Sequence, residues 1–198
     1  MLIGMLALTG CGQPASEQPA ARETRALPAP ATPGTPGTAQ TPSPDVTPLA
    51  RGGEPVRVAI PSIEIEAPLI DLGIGDAGVM EVPADYDDVG WFTGGGRPGG
   101  YGPTVIAAHV DSPTGPAAFI RLRELAPGDE VEVTDETGVA HRYTVTEVAD
   151  YPKADFPTAR VFGATATDEL RLITCGGVFD PAAASYEDNR VVFAERSG

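Results

Sequence analysis

Two residues of the sequence have the chemistry of a nucleophile and its proton partner, Cys175 and His109. Each follows directly on a run of strand-forming residues, TVIAA at 104–108 before His109 and LRLIT at 170–174 before Cys175. A free thiol is mostly protonated at neutral pH, and a nearby imidazole either takes its proton or stabilises the thiolate. If the two runs are neighbouring strands, both side chains lie at one rim of the sheet. We therefore predict that Cys175 and His109 form a nucleophilic pair.

The third candidate residue of an active site is a cation. When a thiolate attacks a carbonyl group, negative charge develops on the oxygen, and a positioned cation stabilises that charge. Arg190 begins the run RVVFA at 190–194 and is our candidate for this role. Taken singly, the three residues have ordinary explanations as a hydrogen-bonded histidine, a buried inert thiol and a surface charge. The hypothesis therefore rests on their combination.

The cysteine count leaves Cys175 without a disulfide partner if Cys11 is modified. Cys11, the only other cysteine, ends the sequence LTGC after the apolar stretch MLIGMLAL, which resembles the lipobox of bacterial lipoproteins. The apolar stretch is short, and no basic segment precedes it. A start codon assigned too late would explain both features. We predict that residues 1–11 are a lipoprotein-type signal segment and that Cys11 is lipidated. The chain would then be anchored by its N-terminus at the extracytoplasmic face of a bacterial membrane.

Composition divides the rest of the chain at Glu54. Residues 12–54 hold nine prolines among Ala, Thr, Ser and Gly, with no apolar run that could be buried. Such a segment cannot offset the entropy lost on ordering, so we predict a disordered linker. From residue 55 onward short apolar runs alternate with Gly, Pro and Asp, which predicts one domain with a single core over residues 55–198. We expect a monomer.

Charge narrows the classes of partner. The formal net charge is −15, of which the residues up to Glu54 carry −1, leaving −14 on the predicted domain. So acidic a surface repels phosphate backbones, which argues against nucleic acid as a partner. Two histidines and one available cysteine, with no close spacing, argue against a zinc site. We expect neither a metal nor a cofactor.

The domain is predicted to be mainly β. Its segments alternate with period two or are apolar throughout, as at 56–60, 63–65, 104–108, 130–134, 142–146, 170–174 and 190–194. One or two short helices are predicted, at 117–125 and within 156–162. About eight strands with turns between them predict a closed or nearly closed antiparallel barrel. His141 lies in a predicted hairpin strand, and we expect it on a solvated face.

Three segments, TVIAAH at 104–109, LRLITCGG at 170–177 and DNRVVFA at 188–194, resemble in order and separation the signature segments of sortases. The resemblance covers roughly residues 55–195 and implies an eight-stranded sortase-like barrel. It also implies that His109, Cys175 and Arg190 form the active site. The sequences HVDS, GPAAF and CGGVFD resemble the actinobacterial class F branch in particular.

The resemblance implies a two-step acyl transfer. The thiolate of Cys175 would attack the Thr-Gly bond of an LPXTG-like sorting signal, and an amine from a peptidoglycan precursor or a pilin lysine would resolve the thioester. Thr174 and Gly176 flank the nucleophile, and a backbone N–H there is a candidate oxyanion donor. The loop before the cysteine strand would form a substrate wall with Phe156 and Val161. Asp111 is a candidate to orient the imidazole, although a role in a turn is the better interpretation.

One position departs from the family pattern. In sortases four residues separate the arginine from a small residue, whereas three separate Arg190 from Ala194, so by strict count Asn189 occupies the family position. Adjacent side chains of a regular strand point to opposite faces, so only one of the two can face the site. We favour Arg190, because a guanidinium offers charge and two parallel donors. A bulge near Asp188 would bring it inward.

Other interpretations remain open at this stage. An L,D-transpeptidase would show an SxGC-type segment, which is absent, and a papain-like peptidase would have its cysteine before its histidine. A lipoprotein of the same fold that binds peptide or cell wall without catalysis, or that only hydrolyses its substrate, is harder to separate. Alkylation of the folded protein distinguishes an active-site Cys175 from a buried thiol.

Overall fold

The computed structural model describes residues 51–76 and 78–198. Cys11 and the predicted linker up to residue 50 lie outside these residues. The described strands are β1 (Pro55–Ile60), β2 (Ile65–Leu72), β3 (Val89–Phe92), β4 (Gly102–Ala108), β5 (Asp111–Ser112), β6 (Gly115–Pro116), β7 (Glu130–Asp135), β8 (Ala140–Pro152), β9 (Asp168–Asp180) and β10 (Ser185–Arg196). One α-helix, α1 (Thr158–Phe162), and 3-10 helices at Pro61–Ile63, Ile120–Glu124 and Lys153–Asp155 complete the elements. None of the described helices has the length and apolar character needed to cross a membrane.

Eight of the strands close into a barrel in the order β1-β2-β3-β4-β9-β10-β8-β7. The predicted eight-stranded, mainly β barrel is confirmed. The expectation that all its strands are antiparallel needs a correction, because β2 pairs with β3 and β4 pairs with β9 in parallel. Parallel neighbours need a long crossover connection. Here residues 73–88 connect β2 to β3, and four intervening strands separate β4 from β9 along the chain.

Alternation along β9 and β10 divides the apolar side chains between two clusters. Leu170, Leu172 and Val192 belong to the cluster inside the barrel. Their neighbours along the chain, Ile173 and Val191, belong to a second cluster on the outer face, which also includes residues of α1 and of the end of β2. Both faces of these central strands are therefore buried, which is why β10 has four consecutive apolar residues at 191–194.

The predicted helix at 117–125 is a 3-10 helix at Ile120–Glu124. Phe119, Leu122 and Leu125 are all buried in the barrel cluster. Their spacing of three residues matches the three residues per turn of a 3-10 helix, in which side chains at i and i+3 eclipse one another. The second predicted turn is confirmed as α1.

The folded domain begins before residue 55. Gly53 donates a backbone hydrogen bond to the Pro98 carbonyl at 3.2 Å, and the Glu54 carbonyl accepts one from Glu136 at 2.8 Å. Glu54 also forms an ion pair with Arg97 at 2.7 Å. Residues 51–54, which composition assigns to the linker, therefore pack against the barrel.

His141 is buried, not solvated as the sequence suggested. Its Nε2 lies 2.8 Å from Oδ2 of Asp135, and both side chains are less than a tenth exposed. The Oδ1 atom of Asp135 accepts hydrogen bonds from Thr137 and from the backbone N–H of Val139. This cluster ties the β7–β8 hairpin together. Alternation alone could not predict it, because the hydrogen bonds to Asp135 come from the turn and from the partner strand.

The folded domain should become less stable at acid pH because of Asp135. Burial alone would raise the pKa of this carboxyl group, but hydrogen bonds from Thr137, His141 and Val139 outweigh it and hold the pKa well below its usual range. A lowered pKa contributes stability above the unfolded-state value of about 3.9 and loses it as the pH falls from there toward the folded-state value. We expect the free energy of unfolding, measured with urea, to decline progressively below about pH 4.

Asp135→Asn tests the assignment. The variant should be less stable at neutral pH by about 1–3 kcal/mol, because buried donors lose their charged acceptor. Its stability should also depend less on pH in the acid range than that of the parent. Glu130→Gln, at an exposed position on the same strand, serves as the control. An acid profile unchanged by Asp135→Asn would assign the acid sensitivity to other carboxylates.

Candidate active site

The parallel pairing of β4 with β9 brings His109 and Cys175 together. Ala107 lies opposite Ile173 in this pair, and both belong to the outer cluster. His109 and Cys175 each lie two residues further along, so they are at the same level and on the same side of the sheet. Both line one cavity. The structure thus places the two predicted residues at matching ends of neighbouring strands, on one cavity.

The cavity has a volume of about 660 Å³ and a mostly apolar wall. One part of the wall comes from the segment between β2 and β3, including Val79, Met80 and Val82. The opposite part comes from the end of β3 and the region of α1. It includes Phe92, Phe156 and Phe162, whose rings pack against one another at centroid distances of 5.7 and 6.4 Å.

His109 is oriented by groups that sequence reasoning did not identify. Its Nε2 lies 2.8 Å from the backbone carbonyl of Pro83, and the Tyr86 ring packs on the imidazole at 4.7 Å between centroids. A carbonyl oxygen only accepts, so Nε2 carries the proton in this contact. Nδ1 is then the basic nitrogen of the neutral ring, and the Pro83 carbonyl stabilises the imidazolium that forms when Nδ1 takes a proton.

Thr174 fixes the spacing between the two catalytic strands. Its buried hydroxyl donates to the Ala108 carbonyl at 2.8 Å, directly before His109. Cys175 itself is half-buried and lies 3.6 Å, Sγ to Nζ, from Lys153. No local pattern signals this contact, because Lys153 follows the end of β8, 22 residues before Cys175.

The register of β9 and β10 decides between Asn189 and Arg190. A bulge does occur, between Tyr186 and Asp188, but beyond it Asn189 lies opposite Cys175 and Arg190 lies opposite Thr174. Asn189 lines the cavity. The expected turn of Arg190 toward the thiol is therefore corrected, since the bulge leaves Asn189 on the face that carries Cys175.

Arg190 instead forms a bidentate ion pair across to β8. Its Nε and Nη2 lie 2.7 and 2.6 Å from the two carboxylate oxygens of Asp150. This hydrogen bonding raises the pKa of Arg190 above its ordinary value. The guanidinium charge is thereby largely neutralised, and the two side chains together brace β10 against β8.

The remaining predicted residues have mixed placements. Phe156 lines the cavity, whereas Val161 is fully buried beneath it in the outer cluster. Asp111 accepts a hydrogen bond from the Tyr186 hydroxyl and pairs in the β5–β6 hairpin. Gly176 packs against Arg190, since a Cβ there would lie in van der Waals contact with it, 3.4 Å from two of its atoms.

The two neighbours on β10 should respond differently to replacement by alanine. We expect Asn189→Ala to lower kcat by about 10²–10³-fold, as loss of one oxyanion donor typically does, with little change in stability. Arg190→Ala should mainly destabilise the fold, by about 1–3 kcal/mol, because Asp150 loses its partner. Steady-state kinetics paired with thermal unfolding separates the two effects. A folded Arg190→Ala protein without activity, beside an active Asn189→Ala protein, would return the catalytic role to Arg190.

Comparison with known families decides the assignment of the fold. The sequence matches the model of the sortase domain over residues 58–197. The chain belongs to the sortase family. Sortases are cysteine transpeptidases, and Cys175 is the cysteine that the described part of this sortase offers in the cavity. A comparison with curated proteins gives no significant match.

Solved structures agree on the fold of this sortase. A lid mutant of sortase A from Corynebacterium diphtheriae is 21% identical, with a TM-score of 0.55 over 75% of this chain and 73% of that one. Sortase C-1 from Actinomyces oris is 23% identical, with a TM-score of 0.55 over 73% and 76%. The sortase D5 transpeptidase of Clostridium perfringens is 19% identical, with a TM-score of 0.55 over 76% and 82%. The class F branch stays a prediction.

Proposed function

We propose that this sortase cleaves an LPXTG-like sorting signal between Thr and Gly and transfers the acyl group to an amine. The observation that carries the proposal is the position of Cys175 and His109 at matching ends of two parallel strands, on one largely apolar cavity. An apolar wall of this size suits the leucine side chain and the proline ring of such a signal.

In the first step Cys175 becomes the nucleophile. Its proton passes to Nδ1 of His109, and Sγ forms a bond to the threonine carbonyl carbon. Negative charge moves to the carbonyl oxygen, where the Asn189 amide and a backbone N–H beside Cys175 are the proposed donors. The C–N bond then breaks, and His109 returns the proton to the leaving glycine amine. The product is a thioester on Cys175.

In the second step an amine resolves the thioester. The amine gives a proton to His109 as its nitrogen bonds to the carbonyl carbon, and the C–S bond breaks to regenerate the Cys175 thiolate. Water in place of the amine would give hydrolysis. The acceptor we propose is the amino group of a peptidoglycan precursor or of a pilin lysine.

The proposed location is the extracytoplasmic face of a bacterial membrane. The apolar N-terminus and the LTGC sequence at Cys11 support lipid anchoring. About forty Pro-rich residues between Cys11 and the domain would let the active site reach substrates some distance from the membrane. We expect the parent protein to enter the detergent phase in a detergent partition. The Cys11→Ala variant should remain in the aqueous phase.

The activity is tested with a panel of LPXTG-like peptides and several amines, followed by mass spectrometry. We expect an acyl-enzyme adduct on Cys175 without amine, and a peptide joined to the amine when one is present. Release of the free acid alone, at every amine concentration, would support the hydrolytic alternative. Binding of peptides without any adduct or product would support a non-catalytic lipoprotein.

A further inference from the structure

Lys153 is the only lysine of the sequence, since the other twelve basic residues are arginines. It begins the 3-10 helix Lys153–Asp155, directly after β8. Its ammonium nitrogen lies 3.6 Å from Sγ of Cys175 and 2.8 Å from Oγ of Ser185, the first residue of β10. An ammonium group has three N–H donors and no acceptor, so Lys153 is the hydrogen-bond donor in both contacts.

The surroundings of the sulfur otherwise carry acidic groups. Asp188 approaches the chain directly after Cys175, since a Cβ on Gly177 would lie 2.4 Å from its Oδ2. Tyr186 has a raised pKa, first because its hydroxyl donates to Asp111 and then through burial and the negative charges of Asp111 and Cys175. A thiolate at Cys175 would add its negative charge to those of the nearby carboxylates. This costs free energy unless a cation lies next to the sulfur.

Arg190 does not supply that cation. Its guanidinium is bound to both oxygens of Asp150, on the face of β10 away from Cys175. His109 takes the thiol proton in the proposed reaction, and its Nε2 is bound to the Pro83 carbonyl. Among the described residues, Lys153 is the cationic side chain with a direct hydrogen bond to Sγ.

We propose that Lys153 is a catalytic residue of this enzyme, the charge partner of the Cys175 thiolate. Its ammonium group stabilises sulfur as the attacking nucleophile and again as the leaving group when the thioester is resolved. Lys153 keeps its own proton throughout, while the proton of the thiol passes to His109. Ser185 holds the ammonium group in place. The acyl-transfer part of this role rests on the proposed function, but stabilisation of the thiolate does not.

Alkylation of the full-length protein by iodoacetamide tests the charge partner without any peptide. The rate at Cys175 is followed by peptide mass mapping, which separates it from Cys11. At neutral pH we expect Lys153→Met to react about two- to fivefold more slowly, the range for loss of an exposed ion pair, because the Lys153 contact is exposed. Lys153→Arg should restore much of the rate. Near pH 10, where a thiol ionises without help, Lys153→Met and the parent should converge.

Two controls keep the test specific. Arg123→Met removes the same charge from an exposed position elsewhere and should leave the rate unchanged. Ser185→Ala should slow alkylation less than Lys153→Met does, because the ammonium group stays charged but loses its holder. Equal rates for Lys153→Met and the parent at neutral pH, or no recovery with Lys153→Arg, would overturn the proposal.

The same variants are then given a sorting-signal peptide and an amine. We expect Lys153→Met to lower kcat with little effect on KM, since the contact is to sulfur and not to the peptide. An acyl group found by mass spectrometry on Lys153 in the parent would mean that the lysine is an amine acceptor, which would also overturn the proposal. If no peptide reacts with any variant while the alkylation results hold, the proposed function fails and the role of Lys153 at the thiolate stands.

Discussion

Replacement of Cys175 by alanine is expected to abolish acyl transfer, with a fall in kcat of at least roughly 10⁴-fold. The two-step reaction needs a covalent thioester, and the other polar groups of the cavity, including Asn189 and Thr174, are weaker nucleophiles. The residual rate should reflect only substrate binding and oxyanion stabilisation. Mass spectrometry of the variant with peptide should show no adduct.

The stability of this variant should be close to that of the parent. Cys175 is only half-buried, so removal of the sulfur leaves no enclosed cavity. The matched control is Cys11→Ala, which should retain full activity on a soluble peptide because Cys11 precedes the catalytic domain. A peptide adduct that persists in Cys175→Ala but is lost in Cys11→Ala would transfer the nucleophilic role to Cys11.

His109→Ala has the second largest expected effect, a fall in kcat of about 10²–10⁴-fold. The variant loses the group that takes the thiol proton and returns it to the leaving amine. Both half-reactions use this proton, so the rate of thioester formation and the rate of its resolution should both fall. Single-turnover measurements with and without amine separate these two rates. Because the cavity is open, added imidazole should restore part of the activity.

The other histidine provides the control for this prediction. His141→Asn removes a ring from the β7–β8 hairpin, where it is paired with Asp135 at a distance from the cavity. It should lower the urea midpoint while the folded protein keeps its activity. Loss of activity in His141→Asn at temperatures where it is folded, with normal activity in His109→Ala, would contradict the assignment of His109.

The orientation of His109 has a consequence for Tyr86. Its ring packs on the imidazole, but its hydroxyl is not needed for that contact. Tyr86→Phe should therefore leave kcat nearly unchanged, whereas Tyr86→Ala should lower it by removing the ring that packs on the imidazole. The Pro83 carbonyl, a backbone group, would still hold Nε2 in both variants.

The sequence alone determined the class of fold and the two central residues of the site. Period-two and fully apolar runs are local signals, so β1, β4, β7, β9 and β10 were each visible within a few residues. The position of His109 and Cys175 directly after two such runs was visible in the same way. If the two runs were neighbouring strands, the two residues would lie at one rim, and in the structure Ala107 pairs with Ile173.

Tertiary structure decided every feature that depends on how separate strands align. A shift of one residue turns a strand over, and the register beyond the bulge put Asn189 beside Cys175, although the chemistry of a guanidinium had favoured Arg190. The parallel pairs were equally invisible, because each joins strands separated by a long connection. The burial of His141 depends on its pairing with Asp135 across the hairpin, which strand alternation does not signal. Lys153 reaches Sγ from 22 positions away, across the ends of β8, β9 and β10. Local patterns specify which segments form strands, but only the closed barrel specifies which strand ends meet and hence which charges surround the thiol.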